Sequence, residues 1–197
     1  MKIFLIIFFS FALVIAGLSA WFYMETENIE QYGYDVLEKH GDIEIRSYKP
    51  ALFSTYTMKG NSYEASSSNG FRTLAGYIFG GNEKQEKIAM TSPVMMEMGE
   101  STTMSFMVPS GRSLESLPKP NNSEIQFIEK PSVIMAAIRF GGWASDEKID
   151  KYKQKLVTQL AELGIVHTGK FAYLGYNPPF QFLNRRNEVV VELVGWK

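Results

Sequence analysis

Four methionines crowd into the stretch IAMTSPVMMEM: Met90, Met95, Met96 and Met98. A thioether sulfur can ligate copper or a cofactor iron. Such a site needs partners that converge with the sulfur, usually His or Cys. The chain has no cysteine and only two histidines, His40 and His167. The spacing favours another role. Val94, Met96 and Met98 alternate, as do Met104, Phe106 and Val108, which places each set on one face of a strand. Methionine commonly fills irregular gaps in cores, so these side chains are expected to line a core or an apolar pocket.

The remaining chemistry is sparse. Without cysteine there are no disulfides, thiolate nucleophiles, Cys-based zinc or iron–sulfur sites, or C-x-x-C-H attachment points. Two histidines cannot build a His-rich metal site, and both are expected at the surface. No G-x-S-x-G elbow presents a serine. Gly80-Gly81-Asn82 ends a helix instead of opening one, so it is not a phosphate cradle. Arg185-Arg186 could grip carboxylates bidentately, but reads more simply as a solvated turn. Glu188 and Glu192 are the candidate bases if the chain is an enzyme with a cavity carboxylate. Alternation in NEVVVEL sets Val189, Val191 and Leu193 on one face and Glu192 on the other, toward solvent.

These residues sit in a chain of 197 residues, 45% hydrophobic, with net charge −1 and pI about 6.2. No basic field exists to hold a polyanion, which excludes nucleic acid as a partner. Residues 3–24 are uncharged and apolar, with Lys2 before them and Glu25 and Glu27 after. As a helix this run would span roughly 33 Å, enough to cross a bilayer. The flanking charges place the following domain on the non-cytoplasmic side. A cleaved signal peptide is the alternative. The expected division is residues 1–27 as membrane anchor or signal peptide and residues 28–197 as one domain, membrane-anchored or exported, with the periplasm as the expected compartment.

Within the domain, Ile43 and Ile45 alternate with Glu44 and Arg46, which marks a strand. Pro50 breaks the run before ALFSTYTM. Phe71, Leu74, Ala75 and Ile78 lie on one helical face, closed by Gly80-Gly81. Ile149, Tyr152, Leu156, Leu160 and Leu163 form the stripe of a second helix that Gly164 ends. Lys49-Pro50 and Lys130-Pro131 begin the same order of strand, helix and two strands, about 81 residues apart. The domain is therefore read as α+β: a distorted antiparallel β-barrel from two β-α-β-β repeats with two flanking helices, preceded by an N-terminal hydrophobic helix.

The segments EIRSYKPA, GFRTLAGYIFGGNEKQEKIAMTSPV, MSFMVPS, FGGWAS and YNPPF…LNRRNEVVVEL together resemble the SOUL haem-binding protein family, over about Tyr34 to Leu193. The resemblance implies the same two-repeat barrel, an architecture also seen in bacterial effector-binding domains. It implies haem as a non-covalent cofactor. In one animal member a His directly before the Tyr of the E-I-R-x-Y segment is the axial ligand; here that position is Ser47. Another member cradles the porphyrin against its first helix. Its apolar positions fall on Phe71 and Ala75, and its basic positions on Ser68 and Gly76.

The expected function is therefore non-catalytic binding of haem, another tetrapyrrole or a similar small hydrophobic, flat ligand. Phe71, Leu74 and Ala75 would line an apolar cleft, and Tyr48 would replace the missing His as an iron ligand. The alternatives are an enzyme of the effector-binding barrel type, and a ligand-free interaction module tethered to the membrane through residues 3–24.

Overall fold

The computed structural model describes residues 29–178, 181 and 184–196. Gln31–Lys197 form one compact unit. Its chain begins with a hairpin, β1 (Tyr34–His40) and β2 (Ile43–Tyr48), turned at Gly41 with φ +59°. That is a backbone angle that glycine adopts without a Cβ penalty. β3 (Ala51–Lys59) follows, then α1 (Tyr63–Ile78), β4 (Val94–Met98) and β5 (Ser101–Met107). The second half runs through β6 (Gln126–Lys130), β7 (Val133–Phe140), α2 (Asp146–Glu162), β8 (His167–Gly175) and β9 (Asn187–Leu193).

Nine strands form the main sheet in the order β1-β2-β7-β9-β8-β4-β5-β3-β6, with every neighbouring pair antiparallel, and Glu30–Gln31 pairs with Thr91–Ser92 in a separate two-stranded sheet. The expected barrel is corrected here. β1 and β6 pair on one side only, so the sheet curls as a half-barrel and keeps two edges. Its order has an internal symmetry about the β8–β4 pair. Each half contributes three strands in the same sequence, β7-β9-β8 and β3-β5-β4. The strand preceding each half crosses to the other one: β2 pairs with β7, and β6 pairs with β3. Pro50 and Pro131 stand at the corners where these exchanges occur. A proline has no N–H to continue a ladder, so the strand ends and the chain turns away. The repeat is thus β-β-α-β-β with its first strand exchanged.

Local chemistry sets the helix ends. Ser62 caps α1, its Oγ accepting the Ala65 N–H at 3.2 Å. Ser145 caps α2 in the same way from Lys148. Asp146, in the first turn of α2, also accepts from the Tyr63 N–H at 2.6 Å, the Glu64 N–H at 3.2 Å and the Ser62 hydroxyl at 2.6 Å. One carboxylate therefore satisfies the N-terminus of α1 from outside it, where orphan N–H groups favour negative charge. At the other end Gly80 takes φ +109° and the Gly81 N–H donates to the Gly76 carbonyl at 2.8 Å, closing the helix.

Both faces of the sheet are covered. α1 packs over β3 and β5, and α2 over β7 and β9. Beneath them lies the larger core, including Leu74, Ile78, Met96, Met104, Leu156 and Val191. Tyr32, Tyr48, Phe53, Met95, Leu174 and Val190 form a second core on the opposite face. Met95 and Met96 are adjacent and point to opposite faces, yet each is only 1% exposed. The methionines are core residues, as their alternation suggests, with cover on both sides.

The expectation of a membrane-anchored or exported domain on the non-cytoplasmic side is corrected. Among the described residues no helix is long and apolar enough to cross a membrane. Residues 3–24, on which that expectation rested together with the N-terminal hydrophobic helix, lie outside the described residues. The localisation is not retained.

Candidate functional site

The four residues expected at the ligand fall on two faces of the sheet. Leu74 is 0% exposed and Ala75 is also buried; both belong to the core under α1. Phe71 is half-buried, with its ring 5.4 Å from that of Phe106. Tyr48 is in the other core, wholly buried. Leu74 and Ala75 are thus closed over by neighbouring side chains, while Phe71 stays half open. The helical stripe identified the buried side of α1 correctly, but that side meets side chains of the sheet.

α1 still presents an open strip beside this contact. Phe71, Ala75 and Phe79 follow at i, i+4 and i+8, which aligns them along the helix. Phe79, the C-terminal cap, is 59% exposed. Its side chain was not singled out in the sequence because it lies past the amphipathic stripe, next to Gly80. Ser68, Arg72 and Gly76 are exposed alongside. A Cβ placed on Gly76 would have no atom within 4 Å. Packing within the chain does not require glycine there, although glycine in a helix interior costs about 1 kcal/mol relative to alanine.

On the opposite face a charged cluster is buried. Arg46 donates to Glu188 twice, from Nη1 at 2.6 Å and Nη2 at 3.1 Å. It also donates from Nε to Glu44 at 3.0 Å and from Nη1 to the Tyr48 hydroxyl at 3.1 Å, and its Nη2 lies 2.9 Å from Glu44. Arg186 adds a hydrogen bond from Nε to Glu188 at 2.9 Å and one from Nη2 to the Tyr34 hydroxyl at 2.8 Å. The Tyr176 hydroxyl donates to Glu188 at 2.9 Å. Each guanidinium also lies against a ring: Arg46 is 4.3 Å from the Tyr34 centroid and Arg186 is 3.8 Å from that of Tyr176. The Arg185-Arg186 pair is therefore not a solvated turn. Arg186 enters this cluster, and Arg185 donates to the carbonyls of Pro178, Gln181 and Asn177 and lies 4.3 Å from the Trp143 ring.

The electrostatics define what these groups can do. Burial pushes the Glu188 carboxyl upward, but the Arg46 hydrogen bonds and the charges of Arg46 and Arg186 outweigh it and hold the group below its ordinary value. Glu188 is an anion with both oxygens engaged, which makes it a poor proton acceptor. Glu192 is partly exposed and lies 4.0 Å from Lys170. Burial pushes the Tyr48 phenol well above its ordinary range. It is neutral at physiological pH, covered, and turned to Arg46, so it is not placed as a phenolate ligand. His40 contacts Glu38 at 2.9 Å, and His167 Nδ1 accepts the Gly169 N–H at 3.1 Å. Among the described residues, no group of three or more His, Asp or Glu could hold a metal.

Space gives the same answer. Between Ser54, Tyr77, Ile88 and Phe106 there is a cavity of about 10 Å³, room for roughly one water molecule. An enclosed porphyrin with an axial protein ligand does not fit the described residues.

The curled antiparallel sheet with two helices on one face defines an α+β half-barrel class shared with solved structures of distant sequence. The C-terminal domain of EcmrR superposes with a TM-score of 0.61 at 8% identity, over 82% of this chain and 98% of that one. A hydrolase from Listeria innocua gives 0.58 at 7% identity, over 80% and 94%. These likenesses concern the fold alone. A family model described as SOUL heme-binding protein matches residues 29–192, and the chain belongs to that family. Heme-binding protein 2 of Mus musculus is 36% identical over 165 residues, 79% of this chain and 80% of the relative. Heme-binding protein 2 of Homo sapiens is 37% identical over 159 residues, 76% and 77%.

Proposed function

We propose that the chain binds haem, or another flat apolar tetrapyrrole, non-covalently and without a reaction of its own, on the outer strip of α1. The observation that carries this reading is the open ledge of half-buried Phe71 and exposed Phe79 beside Gly76, in a member of a family described as heme-binding. The ledge is about 12 Å long from its eight-residue rise, comparable with a porphyrin macrocycle. Phe71 and Phe79 would meet the ring, with Leu74 and Ala75 holding the helix against the sheet behind them. Gly76 lets a flat surface approach the backbone, and Arg72 stands beside the strip to pair with carboxylates. Haem bound there would supply a Soret band by which binding is read.

Haemin titrated into the full chain should change the Soret spectrum and saturate at one equivalent. Gly76→Leu, at a position where an added Cβ meets no atom within 4 Å, should weaken binding at least tenfold, as should Phe79→Asp. Wild-type affinity in both variants would remove the strip as the site.

A second reading is an enzyme that uses Glu188 or Glu192 as a cavity base. The ion-paired state of Glu188 and the exposed position of Glu192 argue against it.

A further inference from the structure

Arg46 is held as a bound ligand would be held. Its guanidinium is planar and carries five N–H donors. Two are directed at Glu188, through Nη1 at 2.6 Å and Nη2 at 3.1 Å. Nε donates to Glu44 at 3.0 Å, and Nη2 lies 2.9 Å from the same carboxylate oxygen. Nη1 also donates to the Tyr48 hydroxyl at 3.1 Å. The Tyr34 ring covers one face of the plane at 4.3 Å. Two carboxylates in the plane, a hydroxyl at the remaining edge and an aromatic ring on the face satisfy both the charge and the shape of a guanidinium. The residue is 3% exposed, so water does not substitute for any of these contacts.

Each acceptor has a further contact besides Arg46. Glu188 keeps Arg186 Nε at 2.9 Å and the Tyr176 hydroxyl at 2.9 Å. Glu44 keeps Lys39 at 2.8 Å. Tyr48 is fixed by rings, with Tyr32 and Tyr34 at 4.9 and 5.1 Å. Removing the Arg46 side chain beyond Cβ therefore leaves a preformed recess whose lining is anionic and aromatic.

We infer that Glu188, Glu44, Tyr48 and Tyr34 form a binding site for planar organic cations, which this chain fills with its own Arg46. The site takes an external guanidinium when that side chain is removed. In the intact protein Arg46 closes this face of the half-barrel to cationic ligands and leaves α1 as the open surface. This does not rest on haem binding and stands or falls separately from it.

The test uses the full-length Arg46→Ala protein with ethylguanidinium chloride, whose atoms match those removed beyond Cβ. Ethylurea supplies a similar shape without charge, and sodium chloride controls for ionic strength. Thermal unfolding of Arg46→Ala should rise saturably with ethylguanidinium, by about 4 °C at ten times the dissociation constant. The wild-type protein, its site already filled, should show no such rise. Adding Glu188→Gln to Arg46→Ala should abolish it. If Arg46→Ala does not fold alone, recovery of a cooperative transition on adding ethylguanidinium is the same positive result. The inference is overturned if the cation neither stabilises nor restores the variant, if ethylurea works equally well, or if the wild-type protein responds to the same extent.

Discussion

Arg46 and Glu188, 142 residues apart in sequence, meet in two parallel hydrogen bonds of 2.6 and 3.1 Å inside the protein. The pair joins β2, the strand exchanged out of the first half, to β9 at the centre of the second half. Removing Arg46 leaves Glu188 covered with Arg186 and Tyr176 as its remaining partners, a loss at or below the roughly 3–5 kcal/mol of a fully broken buried pair. Arg46→Ala should show a loss of that size in urea unfolding. Arg46→Met with Glu188→Leu removes both charges and should cost much less than the two single changes added together. Additive losses would mean that the two residues are not coupled.

Acid should weaken the fold through two carboxylates. Burial raises the Glu188 pKa, but Arg46 and Arg186 reverse this, leaving it below its ordinary 4.5. Burial also opposes Asp146, and the hydrogen bonds from Ser62, Tyr63 and Glu64 reverse it, leaving it below 3.8. A depressed folded pKa means that the unfolded chain binds the proton first. The stability is therefore complete above these ordinary values and is lost as pH falls through the folded ones. Unfolding free energy should decline from about pH 4.5 downward, and the decline should be shallower in Asp146→Asn. Superimposable slopes for the two proteins would contradict the role given to that carboxylate.

Three glycines around α1 should respond differently to alanine. A Cβ on Gly81 would lie 2.6 Å from the Gly76 carbonyl oxygen, a backbone atom that cannot move alone. Gly81→Ala should destabilise by about 2–3 kcal/mol. On Gly70 the nearest atom is the Met58 Cε at 2.7 Å, the mobile end of a flexible chain, so the helix gain of about 1 kcal/mol offsets the crowding. Gly76→Ala meets nothing and should stabilise by about 0.5–1 kcal/mol. Thermal unfolding should rank them with Gly76→Ala highest and Gly81→Ala lowest, and any other order would refute the packing described.

Much of this architecture is legible in the residues. The stripes of both helices, the glycines that end them, the hairpin at Gly41 and the two Lys-Pro corners follow from periodicity and backbone restriction. The exchange of β2 and β6 between halves is not, because pairing partners leave no local trace. The site was harder for a related reason. A period of 3.6 shows which side of α1 is covered, not whether a sheet or a ligand covers it; Leu74 and Ala75 met the sheet. Glu188 shares its side of β9 with Glu192, which reads as the solvent side. Near Glu188 that side is sealed by Arg46, Tyr48 and Tyr176, residues contributed from distant parts of the chain, while Glu192 stays partly open.

The position of the tetrapyrrole is tested most directly by the paramagnetism of its iron. Haemin added to the ¹⁵N-labelled full chain should broaden the amide resonances of Ser68, Arg72, Gly76 and Phe79, and leave those of Arg46, Tyr48 and Glu188 sharp. Broadening centred on the strands around Glu188, or none along α1 at saturating haemin, would contradict the account.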